Sequence, residues 1–207
     1  ERIASEMVNE GGGIQVDGTG RGIGTRTVQL DPGRNPRLSQ QDVEAELART
    51  IGVDSVLWLP RGLARDHETF GTRGHSDILA AFATPGVLLM HRQDSQSHPD
   101  HVIARENRAV AERYFAEHGR APEIIDLPAP EALRDDEGFV DYSYINHLVI
   151  NGAVLACAFN DPADDRALGV LREAYPGREI IGIDARPLFA RGGGIHCITQ
   201  QQPKVSR

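Results

Sequence analysis

Apolar residues in this chain first alternate over short runs and then recur every three to four positions, and this exchange of periods happens three times. In the first round NEGGGIQVD, at 9–17, leads from a glycine run into Ile14 and Val16 on one face of an expected strand. The turn-rich GTGRGIG follows, then a second expected strand at about 25–31 and a DPGRNP loop at 31–36. Ser39, with Asp42 three residues on, is a helix N-cap signature. Val43, Leu47 and Ile51 then make a helical stripe that stops at Gly52. SVLWLP at 55–60 reads as a short buried strand closed by Pro60.

The second round places strands at 77–83 and 86–92 around a Thr-Pro-Gly turn. A helix follows over 99–118, with Val102, Ile103, Val110 and Phe115 as candidate core positions, and then a strand over 123–128. The third has YINHLVI at 144–150, a tight Asn151-Gly152 hairpin turn and AVLACAF at 153–159. It continues with a helix at about 163–174 and a last strand, EIIGID, at 179–184; the acidic stretch 130–141 reads as a loop insertion. The pattern predicts an α/β chain of three ββαβ units, about 9–60, 74–128 and 142–184, with a fourth begun by a closing strand at 195–201. An ordinary α/β sandwich is the alternative. A nucleotide-binding doubly wound sheet is disfavoured, because no GxGxxG stands between a strand and a helix.

Composition narrows the partners. The 207 residues suffice for one large domain or two small ones, and their net charge of −8 argues against a nucleic-acid partner. Cys157 and Cys197 are the two cysteines, in no CxxC spacing, which disfavours a disulfide framework or a cysteine zinc site and fits a reducing, cytoplasmic setting. No apolar run approaches the ~20 residues that span a bilayer, so no membrane partner is expected. The chain starts at Glu1, which suggests a piece of a longer product.

Candidate chemistry gathers at the starts of the units. Glu10 directly precedes GGGIQV; His75 and Asp77 enter the second unit; Asn146 enters the third; Cys197 lies in GGGIHCITQQQP at 192–203. Units packed around an axis would bring these residues to one cleft. A free cysteine is more often a small buried hydrophobe, and Cys157, inside AVLACAF, is expected to be inert. His196 is expected to serve packing, because neighbours on a strand face opposite ways. His67, His98 and His101 lack a clear ligand set, so no metal is expected.

The EGGG opening, the RNP loop before a helix, WLPRG at 58–62, GHxD at 74–77 with ATPGVLL after it, YxN before a VxNG turn, and GIHCITQQQP occur in an order that resembles the agmatine deiminase and bacterial (Porphyromonas-type) peptidyl-arginine deiminase family. That resemblance implies a pentein-type fold, an α/β propeller of five ββαβ modules, of which this chain would be the C-terminal three-fifths of a single catalytic domain. Two N-terminal modules would then be removed or supplied as a separate chain. It also implies a hydrolase of linear amidines that needs no cofactor, turning agmatine and water into N-carbamoylputrescine and ammonia. Cys197 would be the nucleophile, His75 the acid and base, Glu10 its partner, Asp77 the guanidinium acceptor and Asn146 a lining residue. The substrate would be a small cationic guanidine, with homo-oligomers conceivable. Alternatives are deimination of arginine or peptidyl-arginine, amidino transfer, or a non-catalytic subunit of a split pentein. Ser76, Ile78 and Gly194 depart from the family pattern, as does Arg73, two residues before His75. If the loop 64–74 overhangs the cleft, Arg73 would grip a substrate carboxylate and repel an ammonium; otherwise it would pair with Asp66 or Glu68.

Overall fold

The structure is a computed structural model that describes residues 3–68, 71–119, 121–131 and 134–202. It is a mixed α/β arrangement of small separate sheets. The first contains β1 (Ile14–Val16), β2 (Arg21–Thr25) and β3 (Ser55–Leu59), with α1 (Arg26–Gln29) and α2 (Gln40–Ile51) between the last two strands. The second contains β4 (Ala80–Thr84), β5 (Val87–Arg92) and β6 (Glu123–Pro128), with α3 (Asp100–His118) before β6. A two-residue-per-strand hairpin, β7 (Arg134–Asp135) and β8 (Gly138–Phe139), interrupts the acidic stretch. The third sheet contains β9 (Leu148–Ile150), β10 (Ala153–Ala158) and β11 (Glu179–Asp184), with α4 (Asp164–Ala174) before β11 and the short α5 (Arg186–Phe189) after it. In each three-stranded sheet the middle strand pairs antiparallel with the strand before it and parallel with the strand after the helix. None of these sheets closes on itself.

Local sequence explains where the elements begin and end. Ser39 and Asp42 form a reciprocal capping box at the start of α2, and Gly52 stops it in the left-handed conformation, φ 70°. Val43 and Leu47 are buried from that helix against Val53, Val56 and Trp58. The larger core joins Ile23, Leu57 and Leu59 to Leu88, Leu89, Phe115, Leu127, Val154 and Leu171, so all three sheets share it. Helix α3 packs on β3, and α4 packs on both β6 and β11.

Several expectations are corrected. The second strand lies at Arg21–Thr25, mostly within the stretch read as turns, and 26–29 is helical. Its glycines serve packing: a Cβ on Gly22 would lie 2.9 Å from Val53 Cγ1. Residues 76–78 form a 3-10 turn, so β4 starts at Ala80, and β9 is confined to 148–150. Ile51 and Val102 lie on the solvent side of their helices. The closing strand at 195–201 is absent: His196–Ile198 is a 3-10 turn, and Pro203, the end of the C-terminal motif, lies outside the described residues. Among the described residues no helix is long and apolar enough to cross a membrane, and no three metal-ligating side chains cluster.

Candidate active site

Glycines make the site possible. Gly12 lies under His75 and Asp77: a Cβ there would meet His75 Nδ1 at 2.6 Å and Asp77 Oδ2 at 2.7 Å. The two side chains therefore converge over a bare α-carbon. Gly62 of the WLPRG stretch and Gly74 before His75 stack backbone on backbone, since a Cβ on Gly62 would fall 2.1 Å from the Gly74 α-carbon. Gly74 also has φ 117°, a conformation side chains rarely adopt. Thr25 Oγ1 donates to the Gly74 carbonyl at 2.6 Å, which joins the end of β2 to the start of the second unit.

His75 is buried, and its Nε2–H donates to Glu10 Oε2 at 3.0 Å. A carboxylate can only accept, so this bond leaves Nδ1 of the neutral ring, the nitrogen over Gly12, with the free lone pair. Burial of Glu10 opposes its ionisation, but hydrogen bonds from Arg34 and His75 outweigh it and hold the carboxyl below its ordinary value.

Asp77 is 1% exposed and organises the other half of the site. Its Oδ2 accepts from His196 Nδ1 at 2.9 Å and from the Cys197 thiol at 3.2 Å. Its Oδ1 is buried without a hydrogen-bond partner among the described residues. Such an orphaned acceptor is costly. Asn146 ties the parts together. Its Nδ2–H donates to Cys197 Sγ at 3.1 Å and weakly to the Asp77 carbonyl at 3.3 Å, while its Oδ1 accepts from the His196 backbone N–H at 2.9 Å. The chain at His196–Ile198 is therefore coiled around one fixed amide oxygen, which is why no strand forms there.

That coil corrects the expectation for His196. In a 3-10 turn adjacent side chains do not alternate, and both His196 and Cys197 reach Asp77. Cys197 is exposed as a residue, but its sulfur sits between Asp77 and Asn146, and desolvation there and then the charge of Asp77 push the thiol well above its ordinary range, against the hydrogen bond from Asn146. Cys157 lies deeper. Its thiol donates to the Asn146 carbonyl at 2.9 Å, and burial pushes it up to about 12.

The structure thus brings Glu10 to His75, and Asp77, Asn146 and Cys197 to one another, the two groups meeting over Gly12. It does not bring in Arg73. That residue has φ 72°, and its guanidinium pairs with Asp31 at 3.4 Å, not with Asp66 or Glu68. Asp66 accepts instead from Thr72 N, Thr72 Oγ1 and Gly74 N, which shapes the loop before His75. Sequence reasoning missed Arg34, in the quoted RNP loop, which bonds both oxygens of Glu10.

Comparison with known proteins places the chain in a family. The Porphyromonas-type peptidyl-arginine deiminase family matches over residues 1–203. A Streptomyces coelicolor protein, provisionally named an agmatine deiminase, is 49% identical over 204 residues, covering 98% of this chain and 60% of its own length. The agmatine deiminase of Stutzerimonas stutzeri is 37% identical, covering 95% of this chain and 57% of its own. Among solved structures, agmatine deiminase of Enterococcus faecalis superposes with a TM-score of 0.88 at 29% identity, over 97% of this chain and 59% of the other. The chain therefore spans about 60% of the length of the curated relatives it matches.

Proposed function

The chain belongs to the Porphyromonas-type peptidyl-arginine deiminase family, and from that premise we propose that its site is the catalytic centre of an agmatine deiminase, a hydrolase of the amidine C–N bond. The observation that carries the proposal is the thiol of Cys197 at 3.2 Å from a buried carboxylate whose other oxygen has no partner among the described residues. A guanidinium seated on Asp77 would satisfy that oxygen and present its carbon beside the sulfur. Two relatives named agmatine deiminase favour that substrate, and so does the pairing of Arg73 with Asp31, which engages the cation expected to repel an ammonium tail.

In the proposed reaction the guanidinium offsets the negative charge that holds the thiol protonated. Cys197 Sγ passes its proton to Nδ1 of His75 and bonds to the guanidinium carbon, and His75 gives that proton to the departing nitrogen as the C–N bond breaks and ammonia leaves. Water then adds to the thiouronium carbon while His75 takes its proton. The C–S bond breaks, His75 returns that proton to the sulfur, and the ureido product leaves after its oxygen releases the second water proton to solvent. Glu10 keeps Nε2 of His75 protonated so that Nδ1 handles both transfers. Asn146 steadies the sulfur and the turn that carries it. No cofactor or metal enters these steps.

The proposal extends to architecture: the three sheets are read as blades of a pentein propeller, whose remaining modules complete the cleft. The deciding experiment is a colorimetric ureido assay of the full-length protein against agmatine, arginine and blocked arginine. Turnover of agmatine above the other two, lost in Cys197→Ser with the fold retained, is expected. Turnover confined to arginine or its peptides moves the substrate, and no turnover of any guanidine removes the reading.

A further inference from the structure

Among the described residues Arg34 is the one guanidinium whose bonds reach both halves of His75. Its Nε donates to Glu10 Oε1 and Oε2, each at 3.0 Å. Its Nη1 donates to Asp31 Oδ2 at 2.9 Å, and its Nη2 to the Thr72 carbonyl at 2.9 Å. Glu10 in turn holds Nε2 of the His75 ring, and the Thr72 hydroxyl accepts the His75 backbone N–H at 2.9 Å. The ring is thus fixed through one partner of Arg34 and the backbone through the other. The side chain is largely buried, 16% exposed, so its position is set by these bonds more than by solvent.

We propose that Arg34 is a positioning residue for the reaction: it clamps Glu10 and the Thr72 peptide together and so sets the orientation of His75. The kinetic part of this inference rests on the deiminase reading; the geometric part does not. Arginine suits the task because three separate N–H directions in one plane are used at once, which a lysine ammonium cannot reproduce. Asp31 supports the clamp from behind, accepting also from the Gly33 backbone and from Arg73. The charged and titratable groups facing Glu10 are Arg34 and His75; Asp31 and Arg73 stand behind Arg34. The competing account is that Arg34 only ties down the 31–36 loop.

A double-mutant cycle with Glu10 separates the two, because groups acting through one another lose additivity. In the full-length protein, Arg34→Gln is expected to lower kcat by about ten- to a hundredfold with KM changed less than about threefold, the pattern of lost transition-state organisation. Arg34→Lys, which keeps a charge near Asp31, should lose less and guards against a variant that merely unfolds. Losing the Arg34 bonds lets the Glu10 carboxyl titrate higher, so the acidic limb of the kcat/KM profile should move to higher pH. In a Glu10→Gln background the same replacement should cost less than about twofold. Full additivity with Glu10→Gln, or an unmoved acidic limb in Arg34→Gln, overturns the proposal. Carbon-13 NMR of the Glu10 carboxylate gives an arm independent of turnover. If the protein turns over no guanidine and the Glu10 midpoint still rises in Arg34→Gln, the deiminase reading falls and the clamp stands. An unmoved midpoint removes the clamp whatever the activity.

Discussion

Asp77 has opposing effects on the two groups it touches. Its charge attracts a guanidinium, but it also stands against the Cys197 sulfur and holds the thiol protonated. Reactivity should therefore depend on arrival of a cation, because the thiolate is the nucleophile. Asp77→Asn separates the effects: it should abolish guanidine turnover and yet raise the rate at which iodoacetamide alkylates Cys197 near neutral pH, by several-fold or more. Slower alkylation in that variant would contradict the account. Cys157 should stay unlabelled in both proteins, being fully buried. At this scale much was legible. Glu10, His75, Asp77, Asn146 and Cys197 stand in motifs at the starts of units, and the structure gathers them. His196 was not, because its orientation depends on a turn wound around Asn146 Oδ1, from fifty residues away. The partner of Arg73 was equally invisible: Asp31 is 42 residues distant and no local spacing links them.

The described parts of the loop 64–74, which include a 3-10 turn at Arg65–His67, show how a segment between sheets is held. Asp66 is 3% exposed and gathers three N–H or O–H donors from Thr72 and Gly74, and Asp100 Oδ1 accepts the Ala64 N–H at 2.7 Å. Asp100 is raised to about 6, by burial above all and by the charge of Asp66, against the bond from Ala64. Asp141 is also raised to about 6, by burial and then by Asp66. Since an unfolded aspartyl titrates near 3.8, the folded protein binds more protons between that value and about 6. Stability from these two groups is therefore fully present below about pH 4 and is lost as pH rises through about 6. Asp100→Asn keeps the oxygen that accepts Ala64 and removes the charge. It should stabilise the full-length protein by about 1–2 kcal/mol at pH 7.5 and by almost nothing at pH 4, read from urea unfolding at the two pH values. An equal gain at both would point to packing. The regular elements were easier to foresee. Helix α3 and strand β11 fall at or within one residue of their expected bounds, since a strong period and clear stops mark them. Strand β2 was missed because its glycines, chosen for close approach to Val53 and Gln29, imitate a turn in composition.

Across the whole molecule the three sheets differ most in what covers their last strand. In β3, Leu57 and Leu59 are 1% and 0% exposed, and in β6 Leu127 is 1% exposed. The matching positions of β11 in its parallel pairing are Ile181, beside Leu155, and Ile183, beside Cys157. These are 38% and 37% exposed, although Cys157 next to them is fully buried. Helix α4 packs on β11, where a Cβ on Gly182 would touch Leu168, so the alternate residues, Ile181 and Ile183, look away from it. An apolar strand face left bare is a liability in a stable protein. The propeller reading supplies a cover, because a further blade would lie on β11 as α3 lies on β3 and α4 on β6. Paired aspartates at these two positions test it. In the full-length protein Ile181→Asp with Ile183→Asp should cost about 3 kcal/mol or more, from lost apolar burial and from buried charge, and should lower guanidine turnover by distorting the Cys197 side of the cleft. A face that stays in water would tolerate the change within about 0.5 kcal/mol. That outcome, in urea unfolding of the intact protein, would leave the sheets as separate layers with no further blade against β11.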